Sequence, residues 1–395
     1  MRTGSLIAAV LLCLAAGCGS DGPSEPATGE GSNVYAQWSN GPPKGDDYFP
    51  ISVWLQSPSN AARYAAAGIN LYVGLWKGPT EEQLEALRVA GMQVICDQNE
   101  VGLQHLGDGL IAGWMHGDEP DNAQSLPDGG GYGPPIEPQV IIDNYQLLKE
   151  RDPSRPVLLN LGQGVAWDEY VGRGVRTGHP EDYPEYIRGS DIASFDIYPV
   201  ASTRPQITGN LYYVATGVER LRGWARDDQP VWNCIECTRI YSEQNKATPA
   251  QVKAEVWMSL IHGSTGLIYF VHEWYPAFNE HALLDDPEML AAVTAINARI
   301  SELAPVLNSP TITDGVQVES SASAVPVATM VKRQGKVTYL FAVGMREGAT
   351  TASYSLSDDS AASAEVLGES RTIEVVDGRF TDHFEPYEVH LYAIR

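Results

Sequence analysis

The chain has 395 residues, 43% of them hydrophobic, and a formal net charge of −24. That length allows one large domain plus a smaller one, with apolar content enough for a sizeable core. The charge excludes nucleic acid as a partner, because neutralising phosphates takes a surplus of Lys and Arg, and it fits an exported protein that handles neutral ligands.

In chain order, "MRTGSLIAAVLLCLAAGCGS" opens with one Arg, an apolar stretch from Leu6 to Ala16 and then small residues. It reads as a secretory signal, too short to persist as a spanning helix. Its end, "LAAGC", resembles a bacterial lipobox. That resemblance implies a signal over 1–17 and a lipid on Cys18, with plain secretion as the alternative. Gly19 and Ser20 follow with no Asp directly after the Cys, which by resemblance to sorted lipoproteins directs the chain to the outer membrane or cell surface. The lipid would be its sole membrane contact. Residues 18–45, including "SDGPSEPATGEGSN", are expected to form a flexible tether.

From residue 46 to 305 one pattern recurs: a short apolar strand, polar or aromatic residues at its end, then a helical segment. The strands are "YFPISVWLQ", "INLYVGLWK", "MQVICDQN", "LIAGWMHGDE", "PVLLNLGQG", "DIASFDIYPV", "PVWNCIECT" and "GLIYFVHEW". Helix starts carry caps at Ser59 or Asn60, Thr80 and Thr248, and Gly68, Gly91 and Gly263 close helices. Eight strands alternating with helices predict a (β/α)8 TIM barrel. The open doubly wound sheet would begin with a Gly-rich turn, and no G-x-G-x-x-G follows the first strand. Residues 306–395 change texture to short alternating runs broken by Gly, Ser and Asp, which predict an antiparallel β-sandwich. Cys96, Cys234 and Cys237 are odd in number and imply no disulfide framework; they read as buried thiols.

Functional groups of such a barrel sit at the C-terminal ends of its strands. Those ends carry Trp54 and Gln56; Trp76 and Lys77; Asp97, Gln98 and Asn99; His116, Asp118 and Glu119; Asn160 and Gln163; Asp196 and Tyr198; Glu236; and His272, Glu273 and Trp274. Aromatic faces with amides and carboxyls suit sugars, whose C–H faces stack and whose hydroxyls need donors and acceptors together. His116 and His272 also suit packing roles, and Lys77 either meets a charged sugar or solvates the rim. Asp121, after Pro120, reads as a structural turn acid. Alternation puts Trp232, Cys234 and Glu236 on one face of the seventh strand, so Glu236 is expected inside the barrel with a raised pKa.

Glu119 ending strand 4 and Glu236 ending strand 7 resemble the clan A retaining glycoside hydrolases, over roughly Tyr48 to Leu303. The resemblance implies Glu119 as acid/base, Glu236 as nucleophile, Tyr198 hydrogen-bonded to the nucleophile and Trp274 as a sugar platform. It also implies cleavage of β-glycosidic bonds between carboxyls about 5–5.5 Å apart. Asp118 stands where the clan usually has Asn. Beside Glu119 its charge would keep the Glu protonated. An Asp–Glu pair on one strand also resembles the substrate-assisted hexosaminidases, and a degenerate site would leave a non-catalytic glycan-binding lipoprotein. No metal or organic cofactor is expected, since no H-x-H follows strand 1. The expected partner is a carbohydrate, and a monomer is the default. Two inserts, "QSLPDGGGYGPPIEP" and "AWDEYVGRGVRTGHPEDYPEYIRG" with Trp167, Tyr170, Tyr183 and Tyr186, are expected to wall the cleft.

Overall fold

The computed structural model describes residues 33–358 and 360–395. The signal over 1–17, Cys18 and the first part of the tether lie outside them. Eight parallel strands close into a barrel in chain order: β1 (Ile51–Trp54), β2 (Leu71–Val73), β3 (Gln93–Cys96), β4 (Ile111–Met115), β5 (Val157–Leu161), β6 (Ile192–Phe195), β7 (Val231–Glu236) and β8 (Gly266–Phe270). The seam pairs Ile51 with Leu267 and Val53 with Tyr269. Between and after them run α1 (Ala61–Ala66), α2 (Glu81–Ala90), α3 (Glu100–Gln104), α4 (Pro138–Arg151), α5 (Tyr183–Tyr186), α6 (Tyr212–Trp224), α7 (Pro249–Ile261) and α8 (Pro287–Leu307).

Strands of a parallel barrel bury both faces, which is why they read as near-continuous apolar runs. Leu71, Val73, Ile95, Leu158, Ile192, Trp232 and Ile268 fill the interior. Val53, Tyr72, Val94, Leu159 and Leu267 face the helices. Thr80 and Thr248 each close a capping box, with Gln83 and Gln251, and Gly91 ends α2 at φ 67°, as their sequence signals predict.

From Asn33 onward the segment expected to be tether is packed against the barrel. A single 3-10 turn over Val34–Gln37 buries Tyr35 completely. The Tyr35 hydroxyl donates to the Thr265 carbonyl (2.8 Å) and accepts from the Trp232 indole (2.7 Å), plugging the N-terminal end of the barrel. Gly- and Pro-rich composition reads as linker, but two aromatics, Tyr35 and Trp38, suffice to seat this stretch.

After α8 come β9 (Val316–Ser320), β10 (Val327–Gln334), β11 (Val337–Gly344), β12 (Thr350–Leu356), β13 (Ser363–Val366), β14 (Arg371–Glu374), β15 (Arg379–Phe384) and β16 (Val389–Ile394). They form one sheet ordered β10-β11-β16-β13-β14 and another ordered β15-β12-β9. This is the expected sandwich. Strand β15 escapes sequence reading because Asp382 and His383 interrupt a run whose buried members are Phe380 and Phe384. The sandwich leans on α7, where Trp257 meets Phe341 at a ring separation of 5.2 Å.

Candidate active site

The C-terminal ends of the strands open into a cleft of about 1060 Å³. Of the residues the sequence singled out, Trp54, Trp76, Asp118, Glu119, Asn160, Asp196, Tyr198, His272 and Trp274 line it. Asp118 and Glu119 stand just past the end of β4, open to the cleft and enclosed by protein behind. Glu119 has φ 44°, a left-handed conformation that costs a side-chain-bearing residue on the order of 1–3 kcal/mol. Backbone bonds on both sides hold it there: its N–H donates to the Asn160 carbonyl (3.1 Å), and its carbonyl accepts from the Asn122 N–H (3.1 Å).

The inward positions of β5 and β6 complete the floor. Asn160 donates through Nδ2 to Asp118 Oδ1 (2.9 Å) and accepts from Ser194 Oγ (2.9 Å), which fixes the orientation of its amide. The Glu119 and Asp196 carboxyls are hydrogen-bonded neighbours, while Asp196 Oδ1 is buried with no donor among the described residues. Burial, reinforced by the neighbouring carboxylates Asp196 and Asp118, holds Glu119 well above the ordinary carboxylate range. The same two causes, burial and the charge of Asp118, push Asp196 up to about 7. Enclosure on its inner side raises Asp118 against the pull of the Asn160 amide, while its outer side is exposed to the cleft. Three acids share the cleft floor, and of them Glu119 is held above the ordinary range by burial and by both neighbours.

Gln56 and Gln163 line it as well; seven strand-end candidates fall elsewhere, Asp97, Gln98 and Glu273 among them. Asn99 caps α3, accepting from the Gly102 N–H (2.9 Å) and donating to the Pro79 carbonyl (2.8 Å). His116 is buried, donating to the Gly189 carbonyl (2.8 Å), and burial lowers its pKa. Lys77 is exposed, its ammonium 5.7 Å from the Trp76 ring. Glu236 is fully buried and does not line the cleft. Its Oε1 accepts from the Val200 N–H and its Oε2 from the Ala201 N–H, both at 2.6 Å. The rings of Tyr198 and Phe270, from the strands flanking β7, meet at 5.1 Å and line the cleft where Glu236 was expected. Both Glu236 oxygens are taken by those two N–H groups, and the Tyr198 hydroxyl makes no hydrogen bond to Glu236.

The inserts also divide. Tyr170 lines the cleft, but Trp167, Tyr183 and Tyr186 are core residues behind it, and Tyr183 stacks on Trp224 at 5.6 Å. Asp121 is structural as expected: fully buried, it accepts from the Gly162 N–H (2.9 Å) and the Tyr183 hydroxyl (2.9 Å). Sequence reading missed Tyr241, Phe278 and Glu280 in the cleft wall. Tyr241 takes a bond from Gln163 Nε2 (3.0 Å), and Phe278 stacks beside Trp274 at 4.8 Å. Exposed aromatics in loops following a barrel strand were the available signal: Phe278 is 59% exposed and Trp76 69%.

No family model matches the sequence, and no curated protein matches it. Solved structures do match. AmyP in complex with maltose is 11% identical, with a TM-score of 0.53, covering 91% of this chain and 97% of that one. A maltogenic alpha-amylase, AmyB, from Thermotoga neapolitana is 9% identical, with a TM-score of 0.53, covering 88% of this chain and 99% of that one. At such identities the likeness is one of fold, and it spans barrel and sandwich together.

Proposed function

We propose that the chain is a glycoside hydrolase in which Glu119 is the general acid/base. The observation that carries this is Glu119 in contact with Asp196 on the floor of an aromatic-walled cleft, where burial and neighbouring carboxylates raise its pKa. A glycosidic oxygen needs a proton as its bond breaks, and the charge developing on the sugar ring needs an anion nearby. Glu119 supplies the first; Asp118 and Asp196 supply the second. The cleft wall contains Glu82 and Glu280 besides these three acids and no Lys or Arg, which favours a neutral glycan. Two proteins of the same fold, one solved with maltose, add support for the carbohydrate class.

Glu236 lies outside the cleft, so the nucleophile of a retaining reaction would have to be Asp196 or Asp118. A second reading draws on the direct Glu119–Asp196 hydrogen bond. Carboxyls in contact are closer than the about 5–5.5 Å that flanks a bond in retaining enzymes. This favours a 2-acetamido group of the substrate attacking its own ring, with Tyr198 and the Asp partners placing it. Sugar release from α- and β-linked glycans, with and without a 2-acetamido group, tests both readings. Cleavage confined to 2-acetamido sugars selects the second. Cleavage of plain β-glycans with retained anomeric configuration selects Asp196 or Asp118 as nucleophile. No cleavage, with saturable binding, selects a glycan-binding protein.

The lipid on Cys18 and the envelope location remain part of this proposal. Metabolic labelling with a palmitate analogue should mark the full chain and not Cys18→Ala.

Two substitutions probe the acid cluster. With Asp196 neutralised in Asp196→Asn, Glu119 loses a neighbouring charge that holds its proton, so the alkaline limb of kcat/KM should move to lower pH. Asp196 has a raised pKa in the fold, so its contribution to stability is present below its unfolded value near 4. It is lost as pH rises through about 7. Asp196→Asn should therefore melt higher than wild type at pH 8 and not at pH 4. An unmoved alkaline limb would sever Asp196 from Glu119.

Gly162 lies under the acid: a Cβ there would stand 2.9 Å from Glu119 Oε1 and 2.7 Å from Asn122 Oδ1. Its φ of −83° suits any residue, so Gly162→Ala should fold normally. Displacing the acid by a fraction of an ångström should still lower kcat about tenfold. Circular dichroism melts beside steady-state kinetics separate the two effects.

A further inference from the structure

Glu236 and Glu255 form the largest buried acidic feature that the reaction above leaves unused. Glu255, on the inner face of α7, is fully buried. Its carboxyl has one polar partner, Glu236, and no other hydrogen-bond partner among the described residues. Glu236 ends β7 and spends both oxygens on consecutive backbone N–H groups, Val200 and Ala201. Both Glu236 oxygens face N–H donors, so the proton of the pair falls more readily to Glu255, although burial pushes Glu236 up to about 7. Burial and the charge of Glu236 hold Glu255 well above the ordinary range, in keeping with that division.

The two N–H groups belong to the loop after β6. Four residues before Val200 stands Asp196, and two before it Tyr198. The Ser202 N–H bonds back to the Tyr198 carbonyl (2.9 Å), and the Gly209 N–H bonds to the Pro199 carbonyl (3.0 Å), so the loop is a closed turn. Farther along, Asn245 Nδ2 holds the Ser202 carbonyl (2.6 Å) and the Tyr387 hydroxyl holds the Gly209 carbonyl (2.7 Å), whereas the Val200 and Ala201 N–H groups, nearest to Asp196, are held by the Glu236 carboxylate.

We propose that Glu236 is a positioning residue: backed by Glu255, it clasps the Val200–Ala201 backbone to β7 and α7 and so holds the chain that leads back to Tyr198 and Asp196 in place beside Glu119. This rests on Asp196 and Glu119 being the reacting pair. A buried Glu at the end of the seventh strand thus has a role that does not require it to touch the substrate.

Hydrogen exchange at the Val200 and Ala201 amides tests the clasp without any substrate. Gln in place of Glu236 turns one acceptor into a donor facing an N–H, which should speed exchange there about tenfold or more. Glu255→Gln keeps a donor toward Glu236 and should leave exchange at wild-type rates. The same pattern is expected in kcat, with Glu236→Gln about tenfold slower, KM little changed and Glu255→Gln near wild type. Glu236→Ala supplied with azide should form no glycosyl azide.

Unchanged exchange in Glu236→Gln overturns the clasp even if glycans are cleaved. Glycosyl azide from Glu236→Ala overturns it in favour of a nucleophile. Should Glu236→Gln fail to fold, Glu255→Leu removes the donor alone and must speed exchange at the same two amides, or the proposal fails. Faster exchange in a chain that cleaves nothing keeps the clasp while removing the glycosidase reading.

Discussion

Glu119→Gln is expected to lower kcat on glycosides by about a thousandfold while the chain stays folded, within the about 10²–10⁴ that a positioned acid contributes. Gln matches Glu in shape, and its amide can still donate toward Asp196, so the loop after β4 keeps its bonds to Asn160 and Asn122. What it cannot do is release a proton. The loss should therefore depend on the leaving group. Aryl glycosides whose phenol leaves without assistance should recover most of the rate, whereas an alkyl or sugar leaving group should lose all of it. A loss equal across leaving groups would mean that the substitution disturbs binding, and Glu119 would not be the acid. The left-handed backbone at Glu119 belongs to the same argument, because strain at one acid in a cleft persists only where surrounding bonds over-determine it.

Asp121→Ala is expected to destabilise the fold by about 3 kcal/mol, the low end of the range for removing one member of a buried charged network. Asp121 is fully buried; it accepts from the Gly162 N–H and the Tyr183 hydroxyl, and lies 3.9 Å from Arg173 Nε. Arg173, itself 1% exposed, would keep Asp182 at 2.8 Å, which limits the damage. The Gly162 N–H and the Tyr183 hydroxyl would be left buried without partners, each a costly vacancy. Urea unfolding of wild type and variant measures the difference. A change below about 1 kcal/mol would show that water replaces the carboxylate. Because Asp121 ties the loop of Glu119 to the loop of Gly162, Asp121→Asn, which keeps one acceptor, should lose less stability than Asp121→Ala.

The sequence alone determined the architecture. Eight apolar runs, each followed by a capped helix, leave a closed parallel barrel as the arrangement that buries both faces of every strand, and alternating runs after residue 306 leave a sandwich. It also determined most of the cleft, because strand ends carry the functional groups of such a barrel wherever they fall: Asp118, Glu119, Asn160, Asp196, Tyr198 and Trp274 were legible on that ground. Two things were decided by tertiary structure. Alternation places Glu236 toward the interior, yet side-chain direction at the last residue of a strand depends on what its neighbours leave free. Tyr198 and Phe270 close the space before it, and two backbone N–H groups receive its charge. The sequence placed Asp196 at the cleft but not its tie to Glu119, because nothing local distinguishes a solvated strand-end acid from one sharing a proton. That distinction lies in Glu119 approaching from a different strand, and in the burial that makes ionising both carboxyls costly.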